Sequence, residues 1–315
     1  MTNTPPRRCP VASTSCVLVG TSGIAVLDGT TWAVSQVDPV SGGLVSVSCV
    51  DAGFCAAVDA DGNVSNWDGT TWSNPVPVDS PGRPTAISCR SRTLCGLVDD
   101  QGWATTYDGT TWSSPTGISA SPLRSVSCAP PGDTLGDAIC VAVGDDKDAH
   151  YLVTGGWARE SSIDDAALRD VSCVTRKWCV AVDEVGRSVT YSNGAWSAPV
   201  TVDSSNIVHD LKVSCPVQGF CAAVAQWGGS RTYDGTSWSD TGSFDGPSLW
   251  DSPHSVSCAG AAFCTTAMSG GTATYDGTAW TAPDLAFGTG LTDVSCPSSS
   301  FCAAVDDYGN ARVYE

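Results

Sequence analysis

Several residue types are scarce in this sequence, and each shortage removes a class of function. Glutamate occurs only as Glu160, Glu184 and Glu315, lysine only as Lys147, Lys177 and Lys212, and histidine three times in 315 residues. With 33 acidic residues against 15 basic ones, the formal net charge is −18. Such a field repels phosphate backbones, so nucleic acid is not an expected partner. No apolar run is long enough to cross a bilayer and no basic amphipathic segment offers itself to a membrane surface, so a membrane is not expected either. The opening, MTNTPPRRCP, lacks the apolar core of a signal peptide. Nucleophile elbow, phosphate-binding loop, H-E-x-x-H and dinucleotide fingerprint are all missing. A glycosidase built from this chain would have to use aspartates, and the sequence singles out no pair of them.

Cysteine, by contrast, is abundant and ordered. The 16 cysteines form eight pairs: Cys9/Cys16, Cys49/Cys55, Cys89/Cys95, Cys128/Cys140, Cys173/Cys179, Cys215/Cys221, Cys258/Cys264 and Cys296/Cys302. Most pairs are spaced i, i+6, which is not the C-x2-C of a zinc site. A short β-rich run precedes each pair and another follows, so two strands of one hairpin would carry facing cysteines at disulfide distance. The expected use of these bonds is to fasten hairpin ends against fraying. Buried free thiols are the alternative, and the even count argues against it. Disulfides on this scale imply an oxidising compartment, and the expectation is a secreted domain whose signal peptide has been removed.

Around the cysteines runs a repeat of about 40 residues. "VSCVDAGFCAAVDADGNVSNWDGTTWSNP" (47–75) returns as "ISCRSRTLCGLVDDQGWATTYDGTTWSSP" (87–115). Each unit divides into four strands: A (L-x-S-V-S-C), B (F-C-A-A-V-D), C (ending in an aromatic such as Trp67, Tyr107 or Tyr314) and D (starting at a tryptophan). Asp-Gly between C and D predicts a two-residue type I′ turn, which needs positive φ at both central positions. Small inner and large outer residues suit a wedge-shaped sheet. Four-stranded antiparallel units of this length are the signature of a β-propeller. The motif S-V-S-C…F-C-A-V…Y-x-G-T-x-W-S-x-P resembles the cysteine-paired propeller repeats of bacterial secreted proteins, over essentially the whole chain. The resemblance implies fold and secretion and carries no activity with it.

Strands A to C can be read eight times, starting near Cys9, Cys49, Cys89, Cys128, Cys173, Cys215, Cys258 and Cys296, whereas the strand-D tryptophan occurs seven times, as Trp32, Trp72, Trp112, Trp157, Trp196, Trp238 and Trp280. The expectation is therefore an all-β, eight-bladed propeller over residues 1–315 as one domain. Each blade would hold one disulfide, and the last would lack its outer strand.

In this topology the D–A and B–C loops share a face, vary in length, and form the default binding face. Four B–C loops open with Asp59, Asp99, Asp183 and Asp306. The stretch DADGN (Asp59, Asp61, Asn63) is similar to the start of a calcium loop but lacks the later ligands. An Asx turn repeated by symmetry is the preferred reading, and no cofactor is implied. The sixth and seventh repeats break the pattern with Ala225 and Met268, and the two longest D–A loops flank the sixth. Those loops carry His209, Asp210, Trp250, Asp251 and His254, beside Gln226 and Trp227. Trp103, Tyr308, Arg124 and Arg169 complete the candidates on that face, while His150 reads as a turn residue.

Aromatics among Asp, Asn and Arg form a usual surface for sugars. The leading expectation is a non-catalytic, lectin-like module binding a glycan or polysaccharide through Trp227, Trp250, Gln226, Trp103 and Tyr308. The alternatives are a polysaccharide lyase or glycoside hydrolase and a protein-binding scaffold. In the enzyme, His254 or His209 would be acid/base with Asp251, and Arg124 or Arg169 would neutralise a substrate carboxylate. Folds of this kind host all three.

Overall fold

Strands A and B of each repeat pair antiparallel with their cysteines opposite one another, as Cys49 opposes Cys55 and Cys89 opposes Cys95. The structure, a computed structural model, describes residues 16–20, 23–27, 32–37, 43–78, 81–129, 140–192, 194–203, 210–225, 229–243, 253–281 and 290–314. Blade 1 orders Leu44–Asp51, Phe54–Asp59, Asn63–Trp67 and Val76–Pro77 as A-B-C-D. Blades 2 to 6 repeat the plan, with A strands Pro84–Ser91, Leu123–Cys128, Leu168–Thr175, Lys212–Val217 and Pro253–Gly260. In blade 6 the fourth strand shrinks to a single bridge, Tyr275 to Trp280.

Blade 7 is built from Leu291–Ser298, Phe301–Asp306 and Asn310–Tyr314, and its fourth strand is Trp32–Gln36. The ring therefore has seven blades, not eight, and the last is not left open. Trp32 opposes Tyr314 in register, as Trp196 opposes Tyr191 in blade 4. The seven tryptophans count the blades. The first repeat is divided: its D strand closes the ring, while Cys16–Gly20 and Gly23–Leu27, among the described residues, pair with each other as a two-stranded sheet. Each later repeat supplies the blade numbered one lower.

Among the described residues seven disulfides, one per blade, join strands A and B: Cys49–Cys55, Cys89–Cys95, Cys128–Cys140, Cys173–Cys179, Cys215–Cys221, Cys258–Cys264 and Cys296–Cys302. Cys9 lies outside the described residues, and its pairing with Cys16 therefore does too. The bonds sit at the turn ends of the A–B hairpins, Cys49–Cys55 just inside the closing pair Asp51–Phe54 and Cys89–Cys95 just inside Ser91–Leu94. The B-strand member of each (Cys55, Cys95, Cys140, Cys179, Cys221, Cys264 and Cys302) is buried to within 1% and packs among the core residues between blades.

B strands are buried on both faces, which explains their unbroken apolar text. Ala57 packs towards Phe301 and Val305 of blade 7, while Ala56 and Val58 pack towards Ile87 and Leu97 of blade 2. Alanine at these places lets neighbouring sheets approach near the axis.

The serine of V-S-C has a role that spacing did not disclose. Its Oγ accepts from the cysteine amide of the next blade at six successive junctions: Ser48 from Cys89, Ser88 from Cys128, Ser127 from Cys173, Ser172 from Cys215, Ser214 from Cys258 and Ser257 from Cys296. Every bond is 2.9–3.0 Å long, and the belt circles the channel.

The Asp-Gly turns differ from expectation. Gly69 has φ +99°, but Asp68 is not at positive φ, so the turn is not type I′. Instead Asp68 Oδ1 accepts from the Thr70 and Thr71 amides at 2.8 Å, and four residues separate the bridged Trp67 and Trp72. An aspartate that caps its own turn favours this longer loop over the two-residue one.

Candidate functional site at the channel mouth

Near the start of its A strand, every blade but the fifth carries a β-bulge. Pairing shifts between Leu44 and Ser46, Pro84 and Ala86, Leu123 and Ser125, Leu168 and Asp170, Pro253 and Ser255, and Leu291 and Asp293. A bulge inserts one unpaired residue and re-aims it. The inserted residues are Val45, Thr85, Arg124, Arg169, His254 and Thr292. All but Arg169 line the channel, a cavity of about 340 Å³. Blade 5 has no such shift: Lys212 pairs directly with Val224 and lines the channel together with Asp210. The mouth widens on the D–A/B–C face into a further space of about 570 Å³, where Arg169 joins Arg124, Lys212 and Asp210.

One arc of the mouth is charged. Arg124 grips both oxygens of Asp145, Nε at 2.9 Å and Nη2 at 2.5 Å. Arg169 reaches the same carboxylate through Nη1 at 3.1 Å and Glu184 through Nη2 at 2.6 Å. The buried Nε of Arg169 has no partner among the described residues. Lys212 pairs with Asp210 at 3.0 Å. His254 is open to the channel yet surrounded by protein, and this desolvation lowers its pKa, so it is neutral at pH 7. Its Nε2 lies 2.7 Å from Ser269 Oγ. The other arc, Val45, Thr85 and Thr292, is uncharged; its threonines donate to the next blade's carbonyls, Thr85 to Leu123 and Thr292 to Leu44.

One level deeper, two carboxylates stitch blades together. Asp170 accepts from Ser125 Oγ at 2.6 Å and from the Val213 amide at 2.8 Å. Asp293 accepts from Ser46 Oγ and the Val47 amide, both at 2.8 Å. Both line the channel, and burial pushes both pKa values up against these hydrogen bonds.

Arg124, Arg169 and His254 are thus brought to one opening, as sequence reasoning grouped them. Lys212, Asp145 and Glu184 were missed, and for Lys212 the signal was available in the residue just after the apolar start of strand A. His209, Gln226, Trp227, Trp250 and Asp251 lie outside the described residues. Trp103 is half-buried, with Gly117 packed on its ring, where an added Cβ would sit 3.6 Å from the ring carbons. Tyr308 is free to make contacts, being 64% exposed on the same face.

The repeated loop aspartates are caps. Asp59 Oδ1 accepts from the amides of Asp61 and Asn63, and Asp306 Oδ1 from those of Tyr308 and Asn310. Asp99 and Asp183 do the same. His150 is not in a turn but in strand C of blade 3 (Ala149–Val153), 1% exposed, with Nε2 2.8 Å from Asp146 Oδ2. Ser119 Oγ bonds the same oxygen at 2.6 Å. The acid thus stands between serine and histidine, whereas a nucleophile relay needs the histidine between them.

No family model matches the chain, and no curated protein sequence matches it. Among solved structures 1408 chains match, a fold too widely used to assign a function. One, "YCF48 bound to D1 peptide", superposes with a TM-score of 0.68 at 16% identity, over 91% of this chain and 98% of that one. At that identity the likeness establishes the β-propeller fold alone.

Proposed function

We propose that the protein is a secreted, non-catalytic binding module that seats a polypeptide segment on its D–A/B–C face, over the channel mouth. The observation that carries this reading is the convergence of Arg124, Arg169, Lys212 and His254 from four successive blades on the channel and its mouth, with the Arg169 Nε left unpartnered among the described residues. A peptide carboxylate could enter there and exchange with Asp145 or Glu184, since half-exposed ion pairs are held only weakly. Apolar anchors stand on the same face: Tyr308 is 64% exposed, and Val185, two residues after the capping Asp183, is 53% exposed. The similar solved structure, YCF48, is bound to a peptide, which supports the same class of ligand. The seven disulfides support the secreted assignment, because they persist in oxidising compartments.

The test is peptide-display selection against the folded protein, followed by anisotropy titration of the enriched peptides. We expect peptides that pair an acidic residue with an apolar one. Their binding should fall with added salt and weaken about tenfold in Arg169→Gln, the scale of one charged hydrogen bond. Failure to enrich any peptide, or binding indifferent to Arg169→Gln and Tyr308→Ala, would overturn the reading.

A further inference from the structure

At the outer rim, away from the channel, a groove of about 530 Å³ opens between blades 3 and 4. One wall is the loop after strand D of blade 3 (Gly156–Glu160); the other is the short strand Ala195–Trp196 of blade 4 with the residues that follow it. The volume falls in the range of small-molecule sites.

Three features of the groove are built rather than incidental. First, the indole of Trp196 is fixed across the blade junction. Its Nε1–H donates to Tyr151 Oη at 2.6 Å, and the Tyr151 hydroxyl donates to Glu160 Oε2 at 2.7 Å. The polar atom of the indole is therefore occupied, and what it offers the groove is an apolar ring. Second, Asp164 stands in the groove wall with its side chain fully buried and Oδ2 without a partner among the described residues, an arrangement that costs stability. Third, Ser162 is held at φ +57°, with its amide 2.7 Å from Asp148 Oδ1. Strain at a non-glycine residue is characteristic of positions constrained by more than folding.

Arg187 bonds Asp164, Asp165 and Asp183 at once, so two of the three carboxylates lining the groove already have a cationic partner. What stays open is an aromatic ring, the exposed Glu160 carboxylate and the exposed Ser161 and Ser162. We infer that this lateral groove is a carbohydrate site taking a neutral pyranose, one C–H face stacked on Trp196 and its hydroxyls donating to the exposed Glu160 carboxylate. The site is independent of the channel mouth.

The test uses cellobiose, maltose and N,N′-diacetylchitobiose as probes, titrated to millimolar concentrations and followed by saturation-transfer NMR and indole fluorescence. At least one should bind saturably. Trp196→Ala should abolish the signal, but it also removes packing against Tyr191. Ser161→Arg, on the exposed lip, fills the groove without touching the core and should abolish binding with the melting curve unchanged. Glu160→Gln should weaken binding at least fivefold, and Arg169→Gln at the channel mouth should leave it intact. The inference falls if no disaccharide binds, if binding survives Ser161→Arg, or if a lysine methyl ester competes for the groove in place of the sugars.

Discussion

The amide of Cys49 donates to Oγ of Ser295 at 2.9 Å, so the first blade is bonded to the last as blade 2 is bonded to the first. The belt is unbroken through this seam, and Asp293 reinforces it through Ser46 and Val47. Replacing one belt serine by alanine leaves a cysteine amide without its acceptor. Each such change should cost about 1–3 kcal/mol, the penalty of one orphaned buried donor. Ser295→Ala should cost as much as Ser48→Ala in urea denaturation; a Ser295→Ala protein as stable as the parent would show the seam to be held by other contacts.

Closure by Trp32–Gln36 makes a selective prediction for hydrogen exchange. The amides of Asn310–Tyr314 should be protected as well as those of Asn63–Trp67, because both are interior strands of four-stranded sheets. Deleting residues 1–36 should expose the edge of blade 7 and raise exchange there first. Equal protection across all seven blades in the truncated protein would contradict the closure.

Mass spectrometry of the unfolded, unreduced protein after alkylation should show no modification at any cysteine from Cys49 to Cys302, since each is in a disulfide. Each short loop contributes about 2 kcal/mol by the chain-entropy relation, so reduction should lower the melting temperature well before the fold is lost.

Aspartates should titrate in two groups. Hydrogen bonds from turn amides and threonine hydroxyls, led by the Thr71 amide at Asp68, hold Asp68, Asp108, Asp234 and Asp276 down to about 2. A depressed folded pKa stabilises above the unfolded value and is lost as pH falls through the folded one, so these turns weaken between about pH 4 and pH 2. Asp170 and Asp293 are raised by burial, so their ionisation opposes folding at neutral pH, and that opposition disappears as pH falls through their folded values. Carboxyl carbon shifts in NMR should place the two groups on opposite sides of an ordinary aspartate; a single common titration would refute the assignment.

Gly102 has φ +85°, and a Cβ there would lie 2.2 Å from the Ser119 carbonyl oxygen. Gly102→Ala should destabilise by at least about 1–3 kcal/mol from backbone conformation alone, read from the denaturation midpoint.

Sequence carried the blade because its signals are local: paired cysteines, a turn aspartate and an alternation of small and large residues all act within one repeat. It did not carry the blade number, because nothing in a D strand says which C strand it will meet. A cue was nevertheless present. The first repeat ends strand C at Leu27 where the others mostly have an aromatic, while Tyr314 is an aromatic followed by no tryptophan. Rings on C and D pack together elsewhere, as Tyr107 does with Trp112 at 5.3 Å, so the two half-sets belonged to one another. The channel mouth was legible in part. Arg124, Arg169 and His254 drew notice as chemical types, but the bulges that aim them, and the carboxylates of Asp145 and Glu184, depend on three-dimensional register.

Because its fourth strand is Trp32–Gln36 and its other three lie in Leu291–Tyr314, blade 7 cannot form until residues about 260 positions apart have both been synthesised. The Ser46–Asp293 bond spans 247 positions, against 41 at an ordinary junction such as Ser48–Cys89. Closing that longer span costs only roughly 1.6 kcal/mol more, since loop entropy grows with the logarithm of length. The kinetic consequence is larger. While the chain is being synthesised, Trp32–Gln36 waits as an unpaired edge, open to any other strand of suitable text. The nascent chain carries six more tryptophan strands of the same design, so faithful assembly depends on that edge staying vacant until residues 310–314 arrive.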